Sequence, residues 1–178
     1  MLRKHIFPVI GFAAALFFVQ ALSPQDTTDP SARDRKFVRS VLEGGNAEVA
    51  LGKLAVQKSS SQDVKQLGQK MMADHAQLTE QMRDVAKKEH IRAHVGTASK
   101  DKAVEARLKR LSGATFDRAY LAATVKDQRQ DLDEFNREAN DGNDTAIKRA
   151  ASRGALVIGE QLEQAKQTAR NHDLPLVR

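Results

Sequence analysis

Apolar positions recur every three or four residues in four separate stretches of the chain, the spacing that lines one face of a helix. The first stretch, Phe37, Val41, Gly44, Glu48, Leu51 and Ala55, predicts a helix over 33–58. Ser59-Ser60-Ser61-Gln62-Asp63 interrupts the pattern and offers the next N-cap. Val64, Leu67, Met71, His75, Leu78, Met82 and Val85 repeat the step through a second helix of about 28 residues, roughly 42 Å at a rise of 1.5 Å per residue. The turn between these two is short, so they should pack antiparallel. The next connection, 91–112, contains Gly96 and a small amphipathic piece at 102–111, and it is long enough to cross a bundle. Ser112-Gly113 opens a third helix, with Asp117 expected in its first turn, where a carboxylate complements the helix dipole. Its stripe is Leu121, Val125, Gln128, Leu132, Phe135 and Ala139. Asp141-Gly142-Asn143-Asp144 is a turn and cap, and Ile147, Ala151, Gly154, Ile158, Gln161, Ala165 and Thr168 form the fourth stripe, ending near His172 and Pro175.

Short, long, short connections between four long helices predict an all-α bundle with one long crossover between helices two and three that carries a short extra helix, the ferritin-like arrangement. Gly44, Gly45, Gly52, Gly68, Gly154 and Gly159 fall inside predicted helices, where each costs about 1 kcal/mol relative to Ala. Tight helix contact offsets that cost if a large neighbour such as Phe37, Phe116 or Phe135 sits against the flattened surface, and a kink at Gly44-Gly45 is the alternative.

Composition supports the helical reading. Prolines occur at 8, 24, 30 and 175, so 31–174 contains none, and aromatic residues are only 4% of the chain. The absence of Cys excludes a disulfide scaffold, a thiolate zinc site, thioether-linked haem and a cysteine-anchored lipoprotein. Hydrophobic residues at 40% and charged residues at 29% are the balance of a foldable domain. The N-terminus reads as an address: Arg3 and Lys4 precede an apolar run, 6–19, and Val19-Gln20-Ala21 is a small-residue cleavage pattern. That run is short for a bilayer span, which needs about 20 residues. The expected organisation is a signal peptide at 1–21, a flexible leader at 22–32, the bundle at 33–172 and a tail at 173–178. Membrane contact is expected only if the first segment is retained. Cleavage removes Arg3 and Lys4 and so lowers the net charge of +6 by two. The remaining positive charge is scattered and has no aromatic platform beside it, which argues against a nucleic-acid partner.

Polar residues interrupt each stripe near its middle. Glu48 follows Phe37 by 11 positions and His75 follows Val64 by 11, which returns each to within about 20° of the starting face. Gln128 and Gln161 occupy stripe positions in helices three and four, and Asp74 and Asp127 stand beside the same layer. A buried polar layer of Glu48, His75, Gln128, Gln161 and Tyr120 is therefore expected, with Glu48 and His75 as its titratable pair. Two readings compete: a hydrogen-bonded layer that fixes helix register, or a divalent-metal or small-ligand site built on Glu48, His75, Asp74 and Asp127. A di-iron carboxylate bundle needs Glu-x-x-His on two helices, and the chain contains no such sequence.

Other candidates read more plainly. His90 and His94 share a helical spacing at the predicted end of helix two and lack further ligands for zinc. Tyr120 should pack its ring one turn after Phe116 and turn its hydroxyl to a carboxylate. Met71, Met72 and Met82 read as core filler. Asp127, Asp131, Asp133, Glu134 and Glu138 read as the solvated face of helix three. No nucleophilic triad, phosphate loop or nucleotide fingerprint is recognisable.

Phe37, Glu48 with Gly52-Lys53-Leu54-Ala55, Met71-Met72-Ala73-Asp74-His75, and Ser112-Gly113-Ala114-Thr115-Phe116-Asp117-Arg118-Ala119-Tyr120 together resemble the exported bacterial proteins of domain of unknown function 4142 over about 33–169. The resemblance implies a ferritin-like fold and the envelope of a Gram-negative bacterium, and it assigns no biochemical activity. It also implies His at the positions of Gln128 and Gln161, where this chain has Asp127-Gln128 and Gln161-Leu162; an amide is a poor transition-metal ligand beside imidazole. The expectation is a non-catalytic periplasmic or envelope binding protein with no cofactor, its partner another envelope protein or a second copy of itself. A metal or small-ligand binder using Glu48 and His75 is the alternative.

Overall fold

A computed structural model describes residues 29–92 and 99–175; the segment expected to be a signal peptide, most of the leader, His94, Gly96 and the last three residues lie outside them. The chain forms α1 (Ala32–Lys58), α2 (Gln62–Lys88), α3 (Ser99–Lys109), α4 (Gly113–Asp141) and α5 (Thr145–Asn171). The four long helices begin and end within a few residues of the predicted boundaries; of the expected N-caps Asp144 bonds a helix N–H through its side chain, while Ser61 and Ser112 do not. At α1, Ser31 Oγ accepts the Asp34 N–H at 3.2 Å while the Asp34 carboxylate accepts the Ser31 N–H at 2.6 Å, a reciprocal pair that satisfies two otherwise orphaned donors. At α5, the Asp144 carboxylate accepts the Ile147 N–H at 2.8 Å.

Contacts at the helix ends fix the directions. Ser60, in the turn after α1, donates to Asp117 near the start of α4 at 3.4 Å, and His172 after α5 meets Asp63 at the start of α2 at 3.0 Å. At the opposite end, Arg33 lies 3.5 Å from Glu138 and 3.2 Å from Asp141, and Asp34 accepts the Asn143 N–H at 2.9 Å. The helices therefore run up, down, down, up, and the link from α2 to α4 returns along the length of the bundle, as one long crossover requires. The tight pairings are α1 with α2 and α4 with α5; α1 and α4 form the sparsest seam between neighbouring long helices.

Apolar burial divides into two clusters. One gathers Leu51, Leu54, Val64, Leu67, Met71, Phe116, Tyr120, Leu121, Leu162 and Ala165. The other gathers Phe37, Val38, Leu78, Met82, Phe135, Ile147 and Ile158. Along every long helix the predicted polar position falls between these clusters, at Glu48, His75, Gln128 and Gln161, all exposed by 4% or less. Glycines bring the helices close: a Cβ on Gly52 would stand 2.6 Å from the Gly68 carbonyl oxygen, and a Cβ on Gly154 would enter the Phe135 ring. Phe135 in turn meets Phe37 edge to face, with ring centroids 5.1 Å apart.

Several expectations need correction. On α1 Phe37, Glu48, Leu51 and Ala55 are buried as the stripe predicts, but Val41 and Gly44 stand at the edge of the buried face and their neighbours Val38, Leu42 and Gly45 are buried instead, because this helix buries more than one narrow row. Helix α1 continues unbroken through Gly44-Gly45. Ala169, rather than Thr168, is the last buried position of α5. Asp117 lies beyond the first turn of α4, which has no acidic residue, and is used to tie the α1–α2 turn.

Candidate functional site

The layer between the two apolar clusters is built by four helices in register. His75 is 4% exposed, and the Gln128 side-chain amide lies 3.2 Å from its Nε2. With that amide donating, the ring carries its proton on Nδ1. Burial holds the imidazole down at about 4, against the pull of the Asp127 and Asp74 carboxylates and a hydrogen bond with Gln161, so His75 is neutral at neutral pH. Gln161 Nε2 donates to Asp74 at 3.0 Å, and Lys70 donates to the same carboxylate oxygen at 2.7 Å. Glu48 faces Asp127. Burial pushes the Glu48 carboxyl well above its usual range, and the hydrogen bond and charge of Asp127, with Asp131 and Asp101 farther away, push it in the same direction. Glu48 therefore keeps its proton and donates it to Asp127. The Tyr120 ring stacks on Phe116 at 5.9 Å. Its hydroxyl bonds Thr124, one turn on, rather than a carboxylate; burial and the nearby Glu48 raise its pKa.

Beside this layer the α1/α4 seam opens into a cavity of about 70 Å³, where a single water needs only about 10–15 Å³ by the same measure. Glu43, Asp101, Asp127, Asp131 and Glu134 line it together with His75 and Thr79, and among the described residues its wall has no Lys or Arg. Gly44 and Gly45 leave the room on the α1 side: a Cβ at Gly45 would strike Thr79 Oγ1, and one at Gly44 would meet nothing within 4 Å. Thr79 is 3% exposed, and its Oγ1 has no hydrogen-bond partner. A larger groove of about 510 Å³ adjoins this cavity at Asp101 and Asp127. Leu51, Ala103, Val104, Ala122 and Ala123 give it an apolar wall, and the exposed Arg107 and Lys126 line it as well.

This arrangement overturns the reading of α4's acids as a solvated face. Asp127, Asp131 and Glu134 line the cavity, Glu138 is 2% exposed, and of the five only Asp133 is exposed. Sequence reasoning missed the cleft together with Asp101, Asp131, Glu134 and Thr79. A signal was available: Asp127, Asp131, Glu134 and Glu138 follow the same four-three-four step as an apolar stripe and lie one position from the buried Gln128 and Phe135.

The four residues considered for a metal do not assemble as one. Glu48 pairs with Asp127, Asp74 turns to Lys70 and Gln161, and Gln128 meets the His75 Nε2. Among the described residues no three His, Asp or Glu side chains converge where an ion could sit. The donor set also lacks the paired Glu-x-x-His that a di-iron bundle uses. The residues therefore do not fit a di-iron centre. His90 adopts φ 51° just after α2.

What fold and site define is an all-helical bundle whose core is divided by a buried polar layer, with an acidic cleft on one seam. The chain belongs to the family described as domain of unknown function DUF4142, whose model matches residues 19–168. In structure it is similar to a DUF305 fragment from Deinococcus radiodurans, with a TM-score of 0.72 and 12% identity over 81% of this chain and 99% of that one. A DUF305 protein from Streptomyces coelicolor, described as secreted, is similar with a TM-score of 0.69 and 12% identity, over 82% of this chain and 97% of that one. No curated protein matches the chain. Among the described residues no helix is long and apolar enough to cross a membrane.

Proposed function

We propose that this chain is a non-catalytic, exported binding protein of the bacterial envelope that takes a small ligand into the α1/α4 seam, with the mid-bundle layer acting as its structural support. The observation that carries this reading is the cleft itself: the acidic cavity and the apolar groove adjoin at Asp101 and Asp127. Their combined size and the mix of apolar wall with a few polar groups match a small-molecule site. The layer supports a structural role, because the Glu48 proton goes to Asp127, the His75 ring is neutral and bonded to an amide, and Asp74 is held by Lys70 and Gln161. A neutral imidazole buried against an amide does not activate a nucleophile, which favours binding over catalysis. The basic start and apolar run of 1–21 support export. Fusing 1–32 to an alkaline phosphatase that lacks its own signal should give active phosphatase, and an inactive fusion would remove the envelope from this reading.

The binding reading is tested with three six-carbon probes, hexylamine, 1-hexanol and hexanoate, titrated into the full-length protein while backbone amide resonances are followed by NMR. At least one probe should shift amides of Leu51, Val104 and Asp127, and Ala123→Phe, which fills the groove wall, should abolish those shifts. If none of the three perturbs the seam, the cleft is not a ligand site.

A further inference from the structure

We propose that the entry to α1 is a proton-operated latch, independent of the α1/α4 seam. Protonated Glu138 steadies the Asp34 carboxylate, which straps residues 29–34 to the α4–α5 turn; loss of that proton frees the strap while the four long helices stay packed. Connectivity is the first argument. Asp34 is fully buried, and its carboxylate accepts three backbone N–H groups from two separate stretches of chain. Ser31 donates at 2.6 Å from within the strap, and Asn143 at 2.9 Å and Asp144 at 3.3 Å donate from the α4–α5 turn. The Asn143 side chain adds a bond to the Asp29 carbonyl at 2.9 Å, and Arg33 reaches the Arg137 carbonyl at 3.1 Å. One carboxylate thus closes the cap of α1 and ties it to the start of α5, so whatever disturbs that group loosens both.

The second argument is the neighbour of that carboxylate. Glu138 is 2% exposed and hydrogen-bonds Asp34, and its Oε1 has no partner. Two buried carboxyl groups in contact hold one proton between them, and Asp34, with three N–H donors, leaves it to Glu138. A pocket of about 170 Å³ beside the pair, lined by Glu138 and by Arg33, Lys36, Phe37, Glu134 and Arg137, gives water a route to that proton. The charged groups around Glu138 do not replace it. From α1, Arg33 Nε lies 3.5 Å away, but its guanidinium is 46% exposed and also serves Asp141 at 3.2 Å, and Lys36 is exposed. From α4, Glu134 and Asp141 add negative charge, and Arg137 is exposed. From α5, the Lys148 ammonium is taken by the Asn140 carbonyl at 3.2 Å. Glu138 stands at about 7 in the closed latch, raised from 4.5 by burial first and by Asp34 next, and it returns toward 4.5 when the strap leaves. The closed state is therefore favoured in full below pH 4.5; opening grows as pH rises from there to about 7, and levels off above, where both states have lost the proton.

Amide hydrogen exchange of the full-length protein, followed by NMR from pH 5 to 7.5, tests the latch, with each rate taken relative to the unstructured chain at the same pH. Protection of the Ser31, Asn143 and Asp144 amides should fall at least tenfold over that range. In Glu138→Gln, which carries a permanent donor, it should change less than twofold. At pH 7.5 these three amides should exchange at least thirtyfold faster than those of Val125 and Leu162. Adding 1 M urea should leave their rates unchanged while accelerating the mid-bundle pair, because a local opening exposes little surface. Thermal melts show that the variant is folded, and the comparison of amides within the unaltered protein stands without it. If the three amides share the rates and the urea dependence of the mid-bundle pair, this end opens only with the whole bundle and there is no latch. If they open locally but their protection does not change with pH, the strap is not governed by the Glu138 proton, and the proposal is wrong.

Discussion

Replacing Glu138 by Gln should make the protein more stable at alkaline pH and leave it nearly unchanged at pH 5. Glu138 is 2% exposed at the end of α4 and faces Asp34, with Arg33 at 3.5 Å and Glu134 nearby. Burial raises its carboxyl from the ordinary 4.5 to about 7, helped by the hydrogen bond and charge of Asp34 and opposed by Arg33. Asp34 moves the other way: burial would raise it, but the Glu138 hydrogen bond, with those from Asn143 and Ser31, outweighs burial and holds it at about 2. One proton is thus shared by two acids, carried on Glu138. Below pH 4.5 Glu138 is protonated in both folded and unfolded chains, and its contribution to stability is complete. As pH rises toward 7 the unfolded chain releases a proton that the folded chain retains, and the contribution is lost. Moving a carboxyl from 4.5 to about 7 corresponds to about 3 kcal/mol at roughly 1.4 kcal/mol per pH unit. Arg33 is 46% exposed and brings solvent to the pair, which reduces the expected effect to about 1.5 kcal/mol. Gln presents a permanent donor to Asp34, so Glu138→Gln should match the parent at pH 5 and exceed it by about 1.5 kcal/mol at pH 8, equivalent to about 3–6 °C in Tm for a domain of this size. Urea melts of both proteins at half-unit steps from pH 5 to 8 measure this. Glu48 and His75 also titrate but are common to both proteins, so the difference isolates Glu138. A difference that stays constant across the range, or a variant weaker at pH 8, refutes the shared proton.

Three further outcomes follow from the packing. Gly154→Ala should cost about 2 kcal/mol in urea melts, although Ala is the better helix former by about 1 kcal/mol, because its Cβ would enter the Phe135 ring; pairing it with Phe135→Leu should cost less than the two changes summed. Gln128→Leu removes the amide at His75 Nε2 and should cost about 2 kcal/mol at pH 7 by leaving a buried ring nitrogen unpaired, with helical content by circular dichroism unchanged. His75 is held at about 4, so its contribution is complete above pH 6.5 and is lost as pH falls toward 4; His75→Gln should therefore lose less stability than the parent between those pH values in thermal melts.

The helices were legible because their signals are local. Asp144 declares the start of α5 by side-chain chemistry within three residues of the chain; the Ser31–Asp34 box does the same for α1, although 31 and 32 were expected in the leader. The polar positions at 48, 75, 128 and 161 were found by period alone, since a residue in phase with an apolar stripe must turn inward whatever its polarity. What period could not supply was the partner. Glu48 and His75 were grouped as a pair, yet Glu48 meets Asp127 and His75 meets Gln128, because which side chains meet depends on the seam each helix faces. The acids of α4 were assigned to solvent by composition, although their step along the helix was that of a buried row. Charge type outweighed spacing in that reading, and the structure reverses the order.

The layer and the cleft follow from one arrangement. Four carboxylates on a single inward-leaning row of α4 cannot all be buried dry, since an unpaired charge in an apolar interior is either neutralised or hydrated. This chain uses two ways of relieving them. Where a carboxyl of α1 faces one of α4, the acids pair and share a proton, Glu48 with Asp127 at mid-bundle and Glu138 with Asp34 at the end. Between those pairs, Asp131 and Glu134 line an open space, made where α1 and α4 separate and where Gly44-Gly45 carries no side chain. Glu134 also accepts from Ser40 at 3.3 Å, and closing that space with larger residues on α1 would strip water from these charged groups. Gly44→Leu, whose side chain starts in open space and lines the cavity, should therefore fold yet lose more stability than the parent as pH rises above 5. Parallel urea titrations of the two proteins would decide this, and superimposable pH curves would mean that the acids of α4 do not depend on the cavity for their hydration.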